Sequence, residues 1–171
     1  MSDSPLELLT IRSMAGLTRS TPSPDRNDAA PELPSDEEEC PAFGYLRGIR
    51  DRSLSLEFRF ADGNCQAFPY SWLGPLIYNP SAGLLLKFVG DLIYLVLIEG
   101  TNLNTLVNGS VSLSDRGIQR HRVAWVREMN RQQTQQAGKG EVVIDRIRIV
   151  SYPPDEEPKN VDWLEPFRAT P

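Results

Sequence analysis

Leu84-Leu85-Leu86-Lys87-Phe88-Val89-Gly90-Asp91-Leu92-Ile93-Tyr94-Leu95-Val96-Leu97-Ile98 is the stretch that decides the fold. Two apolar runs flank Gly90-Asp91, and glycine in first place suits a two-residue type II′ turn. That turn sets Phe88 opposite Ile93, Leu86 opposite Leu95 and Leu84 opposite Leu97. Leu85, Val89, Leu92, Tyr94 and Val96 then occupy the reverse face. Neither face is polar, so both must be covered, and the hairpin belongs in the middle of the molecule. Its longest unbroken apolar run, Leu92–Ile98, is far short of the roughly 20 residues a membrane-spanning helix needs.

A second hairpin lies upstream. Leu54, Leu56, Phe58 and Phe60 alternate with Ser53, Ser55, Glu57 and Arg59, and period two places the four apolar side chains on one face. Asp62-Gly63 follows, a preferred pair for a type I′ turn. A two-residue turn there sets Phe60 opposite Cys65 and Phe58 opposite Ala67, with Cys65 facing the core. Between the hairpins, Pro69, Gly74 and Pro75 argue against a regular central strand, and Tyr78-Asn79-Pro80-Ser81-Ala82-Gly83 reads as a turn.

Downstream, Asn108-Gly109 marks another turn. Residues 114–129 fit two readings: one helix capped by Ser114 with Ile118, Trp125 and Met129 inward, or, as the favoured reading, a short helix or turn before His121 and a strand over Arg122–Glu128. The run Val123-Ala124-Trp125-Val126 favours a strand, with Val123 and Trp125 on one face and Ala124 and Val126 on the other. Gln132–Gly140 is polar and reads as a loop. Glu141–Val150, rich in Val and Ile, reads as the closing strand.

The expected fold class is mainly β: a small barrel or sandwich of about six short antiparallel strands with one or two short helical turns. Residues 43–150 form this domain. Residues 1–42 read as a disordered acidic tail, with Leu6, Leu8, Leu9, Ile11, Met14 and Leu17 spaced for a short helix near its start. Residues 151–171 read as a Pro-rich acidic tail in which Trp163-Leu164-Glu165-Pro166-Phe167 is a candidate anchor.

The net charge of −5 hides a division. Residues 1–42 carry three arginines and nine acids, a charge of −6. Residues 43–150 carry +4 and residues 151–171 carry −3. A mildly basic core therefore sits between acidic tails, the strongest acidic run being Asp36-Glu37-Glu38-Glu39. These tails read as solvated charge.

Chemistry-bearing motifs are scarce. The 2 cysteines, Cys40 and Cys65, are too few for a disulfide framework or a zinc site. Both read as reduced thiols. The 1 histidine, His121, has no second histidine to join it in a relay or metal site. No glycine-rich phosphate loop is present. Cys65 with His121 is the one Cys–His candidate worth naming for a nucleophilic mechanism. No catalytic residue, metal or cofactor is expected, and an enzyme is the least favoured class.

One constellation stands out. Arg116, Arg120, Arg122, Arg127 and Arg131 fall within sixteen residues, together with Trp125. Guanidinium forks hold phosphate or carboxylate, and an exposed aromatic ring stacks a base. These six residues are the candidate anion or nucleic-acid contacts.

Two resemblances attach to quoted residues. Ile98-Glu99-Gly100-Thr101-Asn102-Leu103 resembles the second signature of Sm-like proteins, apolar–Arg–Gly–x–Asn–apolar, with Glu99 in the place of the arginine. That resemblance implies a small barrel associated with RNA. Leu97–Leu106 followed by His121-Arg122-Val123-Ala124-Trp125 resembles a segment of small bacterial proteins of unassigned function, in which Gly-Arg-Asn-Leu precedes His-Arg-Val-x-Trp. Thr101 stands where that segment has arginine. This second resemblance implies a shared fold and no chemistry.

The sequence therefore predicts a non-enzymatic protein-binding or scaffold module with a protein as partner. The alternative is a nucleic-acid-associated barrel that uses the arginines. The acidic start, Met1-Ser2-Asp3-Ser4-Pro5, lacks the basic region of a signal peptide, so a cytoplasmic location with no membrane partner is expected.

Overall fold

Covering both faces of one apolar hairpin organises the computed structural model, which describes residues 37–156, 158 and 161–168. The acidic tail up to residue 36, with the short helix expected near its start, lies outside the described residues.

Among the described residues nine strands make two sheets. The first sheet holds β1 (Glu37–Glu39), β2 (Phe43–Leu46), β3 (Ser55–Arg59), β4 (Cys65–Pro69) and β8 (Val123–Arg127). Its order is β1-β2-β8-β3-β4, with β3 and β8 parallel. The second holds β5 (Leu73–Asn79), β6 (Gly83–Val89), β7 (Ile93–Thr101) and β9 (Val143–Tyr152), ordered β5-β6-β7-β9 and antiparallel throughout. The two sheets form a sandwich and do not close into a barrel.

Three of the nine strands depart from what their residues suggest. Glu37–Glu39, read as solvated tail, is an edge strand on β2. Pro75, read as a strand breaker, sits inside β5. It is tolerated because β5 is an edge strand and its pairing with β6 slips between Leu73 and Leu76. β9 runs to Tyr152, past the end of the expected domain.

Both hairpins form, and both are shifted by one residue from the expected register. In the first, Phe58 pairs with Gln66 and Leu56 with Phe68, so the loop is Ala61-Asp62-Gly63. Gly63 N–H donates to Phe60 O at 3.1 Å, and Gly63 has φ +89°. This is a three-residue loop closed by a left-handed residue that glycine takes without strain. The Asp62 carboxylate accepts the Asn64 backbone N–H at 2.9 Å and the Asn64 side-chain amide at 2.8 Å. Those bonds hold the Asp62 carboxyl below its ordinary pKa and favour the three-residue loop. The shift leaves Cys65 exposed rather than facing the core. Leu54 also falls off the buried face, at 88% exposure, because the chain leaves the sheet before Ser55.

In the second hairpin Phe88 pairs with Tyr94, Leu86 with Val96 and Leu84 with Ile98. The loop is Gly90-Asp91-Leu92, closed by Gly90 N–H to Leu92 O at 3.0 Å. The inner face is thus Leu84, Leu86, Phe88, Val96 and Ile98, with Tyr94 packed against it. It meets Leu56, Phe58, Phe68, Phe43, Val123 and Val126 of the first sheet. Phe68 stacks on Phe88 with ring centroids 4.8 Å apart, and Phe58 meets Phe88 edge-on at 6.1 Å.

The outer face carries Leu85, Leu95 and Leu97, which Leu164 and Phe167 cover. These two come from a 3₁₀ turn (Asp162–Leu164) that leads into helix α2 (Glu165–Arg168). The anchor expected at Trp163–Phe167 therefore sits on the second sheet, and it supplies the second cover that the hairpin demands. A short helix α1 (Arg131–Gln136) interrupts the polar stretch read as a loop. Asn130 and Gln133 close its first turn as a reciprocal capping box.

Glu128 ties the two sheets together. Its carboxylate accepts Ala61 N–H at 2.8 Å, just past β3, and Ile147 N–H at 2.7 Å, on β9. One carboxylate thus satisfies a backbone donor from each sheet, and charge-assisted bonds of this kind contribute more than neutral ones.

Replacing Phe88 by alanine is expected to cost about 3–5 kcal/mol through the cavity left between the sheets. Glu128→Ala is expected to cost about 2–3 kcal/mol, because two backbone donors lose a charged acceptor. Glu128→Gln should lose about half as much, since one oxygen remains. Urea unfolding followed by tryptophan fluorescence measures all three, and an unchanged midpoint for Glu128→Ala removes the tie from the account.

Candidate functional site

The chain between β7 and β8 makes an irregular turn at one end of the sandwich. Leu113–Gly117 form a single π turn, and Ile118–Arg120 continue it as a 3₁₀ turn. Leu113 and Ile118 are fully buried and pin the turn to the core. His121 then takes a left-handed conformation with φ +55°, which reverses the chain into β8. A π turn and a left-handed non-glycine residue in succession are uncommon, and both concentrate at functional sites.

Arg116 and Arg120 project from this turn and are exposed. Arg122, two residues further on, is 6% exposed. Its guanidinium donates to Leu46 O at 3.1 and 2.8 Å and to Arg47 O at 2.9 Å, and lies 5.8 Å from the Tyr45 ring centroid. Arg122 is thereby a clasp that fixes the end of β2 and the start of the loop after it. That loop returns Arg47 and Ile49 towards the turn. The result is a recess of about 320 Å³ lined by Tyr45, Arg47, Ile49, Ser110, Arg116, Arg120 and Arg122. No carboxylate is among these residues. Among the described residues, neither Arg116 nor Arg120 has an ion-pair partner. Ile49, on the rim, is 75% exposed.

The structure divides the arginine constellation. Arg116, Arg120 and Arg122 meet in the recess. Arg127 and Trp125 lie on the outer face of the first sheet. Arg131 starts α1 and is exposed. Trp125 does not share a face with Val123, because the β2–β8 register jumps from Gly44↔Trp125 to Tyr45↔Val123 and leaves Ala124 as an extra residue. Such a bulge turns the following side chains over. The Trp125 indole crosses Gly44, where a Cβ would collide with its Nε1. Arg59 and Arg127 cover the ring, with guanidinium carbons 4.3 and 4.8 Å from its centroid. At 4% exposure the indole has no free face on which a base could stack.

Arg47, Ile49 and Ser110 were not among the sequence candidates. Their signal was Arg47-Gly48-Ile49-Arg50-Asp51-Arg52, three arginines around an isoleucine in six residues. It lies about seventy positions from the other arginines, a separation that only the β2–β8 pairing closes.

The remaining reactive groups stand apart. The His121 ring stacks on Tyr70 at 4.5 Å, and the Tyr70 hydroxyl donates to Val123 O at 2.7 Å. Burial pushes the Tyr70 phenol well above its ordinary pKa. Cys65 lies exposed on β4, and no interaction joins it to His121 among the described residues. Cys40 is half-buried, and burial raises its thiol pKa. It lines a second recess of about 330 Å³ with Glu39, Leu106, Asn108 and Glu141 among others. Glu99, the residue in the arginine position of the Sm-like signature, pairs with Arg148 at 2.8 Å. Among the described residues no group of three or more His, Cys, Asp or Glu is placed to hold a metal ion. No helix among them is long and apolar enough to cross a membrane.

The two roles of arginine separate by stability. Arg122→Ala is expected to cost about 1.5–3 kcal/mol, because three charged hydrogen bonds to carbonyls vanish. Arg116→Ala and Arg120→Ala are each expected to stay within about 0.5 kcal/mol of the parent. Urea midpoints decide, and a neutral Arg122→Ala overturns the clasp. The thiols separate by exposure: Cys65 is open to reagent, while Cys40 is half-buried and burial raises its thiol pKa, which lowers its thiolate fraction. Iodoacetamide at pH 8 should therefore label Cys65 first, with Cys40 following only as pH rises further.

Comparison with protein-family models, with curated proteins and with solved structures gives no match to the chain, so the chemistry of the recess rests on its own residues.

Proposed function

We propose that the chain is a non-enzymatic binding module that recognises an acidic segment of a partner protein in the arginine-lined recess. The observation that carries this reading is the set of lining side chains: four arginines and no carboxylate around one cavity, with Arg116 and Arg120 unpaired among the described residues. Like charges held together in this way repel, and an anion offsets that repulsion as well as filling the guanidinium donors. The exposed Ile49 on the rim suits a partner with an apolar side chain beside its acid, as a peptide has.

A nucleic-acid reading is less well supported. It requires a basic track with an accessible aromatic ring. Here the arginines are divided between an open recess and a separate sheet face, and Trp125 is covered.

The test is fluorescence anisotropy with the full chain and a labelled peptide of alternating Asp, Glu and Leu residues. Binding is expected at low salt and should weaken as sodium chloride screens the contact. The double variant Arg116→Ala/Arg120→Ala should lose more than tenfold in affinity, while Arg131→Ala should bind as the parent does. Absence of binding at about 10 mM salt, where screening is weakest, sinks the reading, as does equal affinity of the double variant.

A further inference from the structure

We infer that the group this recess selects is a phosphate monoester carried on the partner segment, rather than an Asp or Glu side chain. The inference rests on the binding-module reading and narrows the ligand within it. Three observations lead to it.

The first is charge. A side-chain carboxylate brings one negative charge to a cavity with four guanidinium groups on its walls. A phosphate monoester brings close to two at neutral pH, with three acceptor oxygens. The second is directionality. Arg116 and Arg120 come from the π/3₁₀ turn and Ser110 from the segment after the Asn108-Gly109 turn. Two guanidinium forks and a hydroxyl that converge from separate segments match a tetrahedral group better than a planar one, because planar carboxylate is satisfied by a single fork. The Ser110 hydroxyl, exposed at the wall, adds a neutral donor among the cations.

The third is rigidity. The walls of the recess are tied to the core. Arg122 clasps Leu46 and Arg47, Asn108 Nδ2 donates to the Tyr45 hydroxyl at 3.0 Å, and buried Leu113 and Ile118 hold the turn. The framework is therefore set before a ligand arrives, so that binding loses little to ordering the backbone. Ile49 places an apolar surface at the mouth, which favours a phosphorylated residue flanked by apolar side chains in a polypeptide over an isolated phosphate ion.

Three labelled peptides of one sequence test this with the full chain, each with leucines beside a central position that is phosphoserine, serine or glutamate. The phosphoserine peptide is expected to bind at least tenfold more tightly than the glutamate peptide, with serine weakest. Inorganic phosphate at 10 mM should displace it more than sodium chloride of equal ionic strength does. Arg116→Lys/Arg120→Lys keeps the charge but loses the forks, and should shrink the preference for phosphoserine over glutamate. Ile49→Ser should weaken the leucine-flanked phosphopeptide and leave a glycine-flanked one unchanged. Circular dichroism and urea midpoints confirm that each variant folds.

Equal affinities for phosphoserine and glutamate overturn the phosphate inference and leave acid recognition standing. No binding of either overturns both. Tighter binding of a twelve-nucleotide oligouridine than of the phosphopeptide also overturns the inference and gives the recess to a nucleic-acid backbone.

Discussion

The contact between Phe68 and Phe88 is where the two sheets are joined, and the rest of the architecture follows from what that contact requires. Phe88 lies on the inner face of a hairpin whose outer face is equally apolar. Burying the inner face against the first sheet leaves Leu85, Leu95 and Leu97 to be covered from outside. The chain achieves this with its own last described residues, Leu164 and Phe167. At roughly 25 cal/mol per Å² of apolar surface removed from water, two such side chains contribute a few kcal/mol. That is a large fraction of the stability of a domain this size. The segment after Tyr152 is acidic and rich in proline, yet it carries part of the core.

Two open sheets have four edges, and each is treated differently. β1 presents the exposed Glu39, whose charge discourages pairing with another strand. β4 ends in Pro69, which has no N–H to offer. β5 carries Pro75 and a slip in register. β9 is partly sealed from the side: Glu128 takes the Ile147 N–H, and Met129 N–H donates to Ile144 O at 2.8 Å. The acidic run around Glu37 is thus part of the sandwich, placed where charge is useful.

The sequence was informative where a pattern repeats and misleading where a single residue is inserted. Alternation identified both hairpins, and two-sided hydrophobicity identified the need for two covers. Registers failed because a two-residue and a three-residue loop leave nearly the same trace in sequence. What distinguishes them is the bond from Asn64 to Asp62 in one hairpin and from Gly90 to Leu92 in the other. The same limit explains Trp125. Strict alternation joins it to Val123, and the bulge at Ala124 separates them. Among the arginines, proximity in sequence placed Arg127 and Arg131 with the three that meet, and it could not find Arg47, which the sheet brings in from far upstream.

The buried and the exposed arginines of the recess depend on each other. Arg122 spends its donors on the carbonyls of Leu46 and Arg47, so it cannot at the same time use those nitrogens to grip a ligand. Its charge remains close to the cavity all the same. A buried guanidinium satisfied by carbonyls is acceptable because its hydrogen bonds are made, while its field is only partly offset. Arg116 and Arg120, outside in water, lose less on desolvation and keep their forks free. This division of labour lets one cluster be both rigid and receptive. A fixed positive charge forms the floor, and two unpaired forks stand at the mouth, held by a turn whose strained backbone is anchored by Leu113 and Ile118. Exchanging the order, with the free forks buried and the clasp exposed, would leave charged donors unsatisfied in the core. The sequence order Arg116, Arg120, Arg122 across a left-handed His121 is the arrangement that avoids it.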